Sequence, residues 1–332
     1  MKIIILMSIW AQNLWDELIL KNEIKLLEQK YWKNTEFIVF TYDTKNIFYE
    51  KDNIKYREYF PIWVKNPKNA FINIKNLFIF IKEMISVEKI VIWWWGIIYD
   101  NEVQSANDPL VQWLLRVYLA YFLKKEIIFW AVWINIKNNE NLKIIKKTFN
   151  KAEKVYVRDE YSHKLLKNLD ISSRVILDPV FYDNNSKLTN KSSLIKKINS
   201  KNFNLEDIKN IDFKNKTVWL ALRSWYINSE QKEINKIIEY LLEKEAKIIL
   251  IPHSFHKTDK LANDYEFLKK FADKYNLEIT KNMQESYSIY LNKKIDINLA
   301  MRLHSIILSH TYEIKYIAIS YSKKTDEITK KL

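Results

Sequence analysis

Lys89-Ile90-Val91-Ile92, followed at once by Trp93-Trp94-Trp95-Gly96, is the stretch that decides the fold. A short apolar run bounded in this way reads as a buried strand. In an α/β fold, the loop leaving such a strand is where glycines let backbone N–H groups close around an anion. Here three of the four loop positions are tryptophan, and Gly96 is the single glycine of 332 residues. Average usage would place about 23 glycines in a chain of this length.

Outward from this stretch the same alternation repeats. Lys2–Met7, Glu36–Tyr42, Glu126–Phe129, Lys154–Val157 and Arg174–Leu177 read as strands. Asp16–Lys30, Ala70–Ser86, Pro109–Lys124, Asn141–Lys151 and Asp159–Leu169 read as helices between them. After Asp183 the chain turns polar, and 184–216, rich in Asn, Lys and Ser, reads as a connection. The alternation then restarts. Thr217–Leu222, Lys247–Ile251, Asp296–Leu299 and Tyr316–Ser320 are predicted strands, with helices at Ser229–Lys244, Asp259–Tyr275, Gln284–Asn292 and Leu303–Thr311. The expected fold is α/β: two Rossmann-like doubly wound domains, 1–183 and 217–332, facing a cleft in which ligands bind at strand C-terminal ends.

Composition narrows the function classes. With 48% hydrophobic and 28% charged residues, the chain has the balance of a soluble globular protein. It has no cysteine, which excludes disulfides, thiolate zinc sites and a cysteine nucleophile. The opening MKIIILMSIW reads as a first strand rather than a secretory segment, and no run of 18 apolar residues exists to span a membrane. A cytoplasmic location is therefore expected. The formal net charge of +14 is spread along the chain without a dense basic cluster, so no nucleic-acid partner is expected.

Tryptophan stands at glycine places. Trp10 and Trp15 lie in the loop after the first strand, Trp130 and Trp133 flank a turn, and Trp219 and Trp225 bracket Ala221-Leu222-Arg223-Ser224. Turns of this kind call for φ > 0, which a residue with a Cβ adopts only at a cost. Some bacteria decode UGA as glycine, and a standard translation prints tryptophan there. Most of these residues are read here as glycine in the cell, with Trp113, inside an amphipathic run, kept as genuine.

Four groups of residues at strand ends could carry chemistry. Asn13, Asp16 and Glu17 could bind sugar hydroxyls or supply a base, and they equally suit a helix cap and first turn. The loop ending in Gly96, followed by Asp100, could hold an anion if restored to glycine. Arg223, ending the first strand of the second domain, could grip a carboxylate or phosphate, or form an interdomain ion pair. Arg302-Leu303-His304 sits where a strand runs into a helix, a guanidinium and an imidazole at an anion-friendly helix start. His253 and His256 follow a strand, but no metal-ligand set can be assembled around them. Neither a P-loop nor a nucleophile elbow is present.

In order along the chain these pieces resemble the polysaccharide pyruvyl transferase family. The family's G-x-x-N-x-G-D-E resembles Trp10–Glu17, with tryptophan at both glycine places. Its Gly-rich loop resembles Val91–Asp100, its G-x-G-I turn Trp130–Ile134, its V-R-D-E-x-S segment Val157–Ser162, and its D-P with a following aromatic Asp178–Phe181. R-L-H matches Arg302-Leu303-His304, and I-S-Y-x-x-K matches Ile319–Lys324 with Lys323 or Lys324 as the lysine. The resemblance implies an architecture similar to GT-B glycosyltransferases and phosphoenolpyruvate as donor, with no cofactor and no metal. The first domain would serve a glycan acceptor and the second the donor. A lipid-linked acceptor would add peripheral contact with the inner membrane face. The implied roles are His304 as the acid or a phosphate contact, Arg302 and Arg223 as clamps, and Asp16 or Glu17 at the acceptor. Leu303 and Lys323 complete the binding residues. A nucleotide-sugar-dependent GT-B glycosyltransferase and a non-catalytic glycan-binding relative are the alternatives.

The recoding reading makes a direct prediction. The gene carries UGA at positions 93, 94 and 95, and peptides of the native protein have glycine masses there; UGG codons would end it.

Overall fold

The computed structural model describes residues 1–7, 13–31, 34–41, 44–59, 67–93, 98–100, 109–183, 193–199, 203–223, 230–256, 263–293, 295–320, 325, 326, 328, 329 and 332. In chain order the first elements are β1 (Lys2–Leu6), α1 (Leu14–Tyr31), β2 (Glu36–Thr41), β3 (Ile54–Glu58), α2 (Pro67–Ser86), β4 (Lys89–Trp93), β5 (Ile98–Tyr99) and α3 (Pro109–Phe122). There follow β6 (Glu126–Val132), β7 (Ile134–Asn135), α4 (Asn139–Phe149), β8 (Lys154–Val157), α5 (Glu160–Asn168), β9 (Arg174–Val175) and a 3-10 turn at Pro179–Tyr182. The later elements are β10 (Leu194–Asn199), β11 (Thr217–Ala221), α6 (Glu230–Glu243), β12 (Lys247–Leu250), α7 (Asp264–Tyr275) and β13 (Glu278–Ile279). The last are α8 (Met283–Asn292), β14 (Ile297–Ala300), α9 (Leu303–Thr311) and β15 (Tyr316–Ser320).

The chain forms two compact units, Met1–Trp10 with Leu20–Pro179, and Ala11–Ile19 with Val180–Leu332. The first holds a seven-stranded sheet in the order β3-β2-β1-β4-β6-β8-β9, and the second a six-stranded sheet in the order β10-β15-β14-β11-β12-β13. Every pairing in both sheets is parallel. This is the doubly wound pattern expected from the alternation: strands covered on both faces read as continuous apolar runs. Ile3–Leu6 and Ile297–Ala300 are buried at every position.

The strands missed by the pattern are edge strands. β3, with the sequence IKYRE, is half exposed and has no fully buried position and only two apolar side chains. β10 lies inside 184–216, the segment read as a connection, and pairs with β15. It exposes Ile195, Lys196 and Lys197, so its hydrophobic signal is weak where a neighbour covers only one side.

Among the described residues, the tryptophans at glycine places, Trp15, Trp93, Trp130, Trp133 and Trp219, are not at positive φ. Among the described residues, the left-handed positions without glycine are Lys124, Ala131, Asp170, Asn215, Glu245, Asn276, Lys293 and Glu313. Six of these follow the C-termini of α3, α5, α6, α7, α8 and α9, the place where glycine ordinarily ends a helix. Trp93, Trp130 and Trp219 are strand residues, and Trp15 is in α1. The turn-based reason for glycine at these sites is therefore corrected. What distinguishes them is volume and polarity. Trp93 and Trp219 are wholly buried, and the indole N–H groups of Trp93, Trp130 and Trp219 are buried without an acceptor. Each such orphan donor costs about 1–3 kcal/mol.

α1 is unusual in another way. Its residues 14–20 and 22–24 are buried although they include Asp16, Glu17, Asn22 and Glu23. Both carboxyl oxygens of Glu23 lack a hydrogen-bond partner, and burial pushes its acid up from 4.5 to about 8. The unfolded chain ionises this residue at the lower value. Glu23 therefore carries no ionisation cost at acid pH, and stability falls as pH rises between the two values. Glu23→Gln should stabilise the protein by an amount that grows from pH 5 to pH 8, reaching on the order of 3 kcal/mol. Urea unfolding across that range measures it; a gain independent of pH would contradict a buried, protonated acid.

Candidate active site

In the second sheet the chain builds β12 and β13 on one side of β11 and β14 and β15 on the other, so the gap between β11 and β14 is the topological switch point, where open α/β sheets place their ligands. Ala221 is in register with Ala300, and the N–H groups of Met301 and Arg302 both bond the Ala221 carbonyl, at 3.0 and 3.4 Å. Arg223, two residues beyond β11, and Arg302 and His304, just beyond β14, thus leave adjacent strand ends of one unit. Arg302 precedes α9 as its N-cap, and His304 lies in the first helical turn, where the helix dipole favours an anion.

Arg302 is fixed from behind by a residue that sequence reasoning did not single out. The wholly buried carboxylate of Asp264 accepts from Arg302 Nε at 2.7 Å and also from Nη2. This two-bond pairing sets the plane of the guanidinium. Asp264 also accepts the His253 N–H at 3.3 Å. The His253 ring bonds Tyr290 Oη at 2.8 Å, Tyr290 bonds Ser305 Oγ at 2.7 Å, and Asn298 donates to Ser305 and Ser309 at 2.7 and 2.8 Å. Burial, then the Arg302 charge, pushes His253 down to about 3, so it stays neutral. His253 is thus a fixed part of the scaffold. A single aspartate opening a polar helix gives no sequence signal for this role; only the neighbouring Arg302 defines it.

The first motif joins the same unit. Asn13 forms an antiparallel bridge with Ser254, and the Leu14 N–H donates to the His253 carbonyl at 3.0 Å. Asn13 Oδ1 accepts from the Trp15 N–H and its Nδ2 donates to Asp16, both at 3.2 Å. Asn13 thus caps α1, one of the two roles open to it, and the segment reaches His304 through Trp15. Trp15, wholly buried, lies flat on His304, with ring centroids 3.8 Å apart and planes 11° from parallel.

Asp100 lies in the first unit. It accepts from Asn141 Nδ2 and the Asn138 N–H, each at 2.9 Å, and from the Lys137 N–H. Burial opposes its ionisation, but the Asn141 amide and these backbone donors outweigh it and hold the carboxyl below the ordinary range. Asp100 thus ties down the start of α4. Gly96 and Lys323 lie outside the described residues, as do Lys324, Ser224, Trp10, Trp94, Trp95 and Trp225. Among the described residues no group of three His, Asp or Glu could hold a metal.

Comparison with known proteins bears on this arrangement. A model of the polysaccharide pyruvyl transferase family matches residues 16–323. The chain belongs to the polysaccharide pyruvyl transferase family. No curated protein matches it. Among solved structures it is similar to the UDP-GlcNAc 2-epimerase from Methanocaldococcus jannaschii, at 12% identity and TM-score 0.50, over 100% of this chain and 92% of that one. A glycosyltransferase from Rickettsia africae aligns at 13% identity and TM-score 0.48, over 97% of this chain and 80% of that one. The likeness to the epimerase is one of fold: two Rossmann-like, parallel α/β domains.

Within this pyruvyl transferase family member the motifs divide by role. Val157–Ser162 is architectural: Arg158 faces Asp178 at 3.8 Å, and Asp159 caps α5 through Ser162, whose Oγ accepts the Ile134 N–H at 3.0 Å. Asp183, beyond the Asp178-Pro179 pair, accepts from Tyr287 and Tyr312 at 2.6 and 2.7 Å. Arg302-Leu303-His304 remains the cationic group at the switch point. Trp15 covers one face of the imidazole, so Trp15→Gly should expose it. Carbethoxylation of His304, followed by peptide mass, should quicken at least about tenfold, as expected when a buried side chain gains access to solvent. An unchanged rate with native far-UV circular dichroism would show that the indole does not shield it.

Proposed function

We propose that the enzyme transfers the enolpyruvyl unit of phosphoenolpyruvate to two hydroxyls of a sugar, forming a pyruvyl ketal and releasing phosphate. What supports this reading is that Arg223, Arg302 and His304 leave adjacent strand ends of the second sheet. Two guanidinium groups beside a helix N-terminus suit a small donor bearing a carboxylate and a phosphate. The acceptor is a glycan, as family membership supports.

Ketal formation begins with a proton delivered to the methylene carbon of the donor. Positive charge then develops at the adjacent carbon, and a sugar hydroxyl attacks there, its proton passing to a carboxylate. A second hydroxyl attacks the same carbon as phosphate departs. His304 is the proton donor or a contact to the phosphate, and Arg302 and Arg223 hold the anionic groups. Asp16 or Glu17, in the segment that bridges to Ser254, serves the acceptor. Asp264 acts through Arg302 as a positioning residue. Leu303, between the two polar members of its motif, is buried and anchors the helix start. Gly96, Asp100 and Lys323 remain assigned to binding by resemblance. The reaction is placed in the cytoplasm and needs no cofactor or metal.

The test is phosphate release from phosphoenolpyruvate with extracted glycan acceptors, using chain that carries glycine at position 15 and at the other glycine-place tryptophans. His304→Ala in that background should lower turnover about 10²–10⁴-fold. Asp264→Asn should raise KM for phosphoenolpyruvate more than it lowers kcat. Release at the parental rate by His304→Ala would remove the acid assignment. Calorimetric binding of a nucleoside diphosphate, with none of phosphoenolpyruvate, would favour a nucleotide-sugar enzyme instead.

A further inference from the structure

The first unit carries an apolar face that is exposed among the described residues. On α2, Ile74, Phe78 and Ile85 are 54%, 68% and 59% exposed. Their spacings of four and seven residues put them on one stripe of the helix. On α3, Leu115 and Phe122, seven apart and therefore also on one stripe, are 63% and 76% exposed. The two helices meet at one end: Lys125 Nζ, in the turn after α3, donates to the carbonyls of Ile85 and Val87 at 2.9 and 2.8 Å. Exposed large side chains are ordinary when scattered. A contiguous set on neighbouring helices marks an interaction surface.

Lysines outnumber carboxylates around this face. Lys75 and Lys82 are exposed beside the α2 stripe. The only carboxylate on α2, Glu83, is buried and paired with Arg57 at 2.9 Å and Lys55 at 3.3 Å, and α3 has no carboxylate at all. Where α3 ends, Tyr121 and Phe122 line an open groove of about 680 Å³ with Lys124, Lys125 and Lys151. The groove's two glutamates already have cations: Glu126 pairs with Lys89, and Glu153 with Lys154 at 3.1 Å. Lys151 sits 3.8 Å above the Tyr121 ring. The combination is an apolar stripe, aromatic side chains and lysines in excess over two glutamates that are already paired.

We propose that this face docks on an anionic lipid bilayer, the α2 and α3 stripes entering the acyl boundary while the lysines of the groove take phosphate head groups. Apolar burial and attraction to anionic lipid act together in such a surface. No helix among the described residues is long and apolar enough to cross a membrane, so the contact is at the interface. A second copy of the chain fits less well, because two such faces would bring lysines against lysines.

The experiment is flotation of the full chain with vesicles of phosphatidylglycerol and phosphatidylcholine in equal parts, against vesicles of phosphatidylcholine alone. The chain should float with the first and not the second, and about 0.5 M salt should release it. Phe78→Ser combined with Phe122→Ser, and separately Lys124→Glu combined with Lys151→Glu, should each weaken binding at least about tenfold. Phosphate release with a water-soluble acceptor should be unchanged in both, which separates failure of this surface from failure of the transfer reading. Equal flotation with both vesicle types, or wild-type flotation by either double variant, overturns the proposal. So does a dimer in sedimentation equilibrium that the phenylalanine variant dissolves without loss of vesicle binding.

Discussion

The guanidinium of Arg302 lies against the buried carboxylate of Asp264, and the chemistry assigned to this protein depends on that contact. Taking two charges out of water is expensive, and a buried pair of this kind adds little net stability over an apolar one. Its value is directional. Asp264 fixes the guanidinium plane at the place in the second sheet where the order of successive strands reverses. The same carboxylate holds the His253 N–H, and His253 leads through Tyr290 and Ser305 to Asn298 on β14. The strand end that presents Arg302 is therefore braced by a continuous polar network in which each bond orients the next.

That network explains why two histidines close in the sequence of events have different fates. His253 is enclosed, bonded to a tyrosine and held neutral by burial and by Arg302. His304 stands in the first turn of a helix, beside Arg302, with an indole over its face. The bridge between Asn13 and Ser254 brings that indole there. Under the proposed function, a side chain as large as tryptophan takes up space in which the substrate would meet the imidazole, whereas glycine at the same place would leave that face of the ring open. Scarcity of glycine is met differently at helix ends, where lysine, glutamate, aspartate and asparagine adopt left-handed backbone. The buried indoles of Trp93, Trp130 and Trp219 carry a separate penalty, an N–H with no acceptor.

Much of the architecture was legible in the sequence because parallel strands buried on both faces must be apolar throughout. Tyr316–Ser320 and Leu303–Thr311 were read with the boundaries observed. β3 and β10 were not, since edge strands with one open side keep polar residues. The placement of Arg223 beside Arg302 followed from reading both as strand ends, and parallel pairing of β11 with β14 brings them to the same edge. Asp264 gave no such signal, because an acid in the first turn of a helix is common for reasons of the dipole alone. Asp100 was singled out for its place after a Gly-rich-type sequence, and only the fold shows that its carboxylate bonds the start of α4.

By itself, the sequence determined the two α/β units, the family and the identity of the cationic motif, because periodicity and ordered motifs are properties of the chain read along its length. Tertiary structure alone decided which groups act on one another: Asp264 behind Arg302, Trp15 over His304, Ala11–Ile19 within the second unit, and the bare apolar face of α2 and α3. The physical reason is that orientation, burial and partner choice arise from contacts between residues far apart in the chain. No local preference encodes the distance between a guanidinium and the carboxylate that holds it.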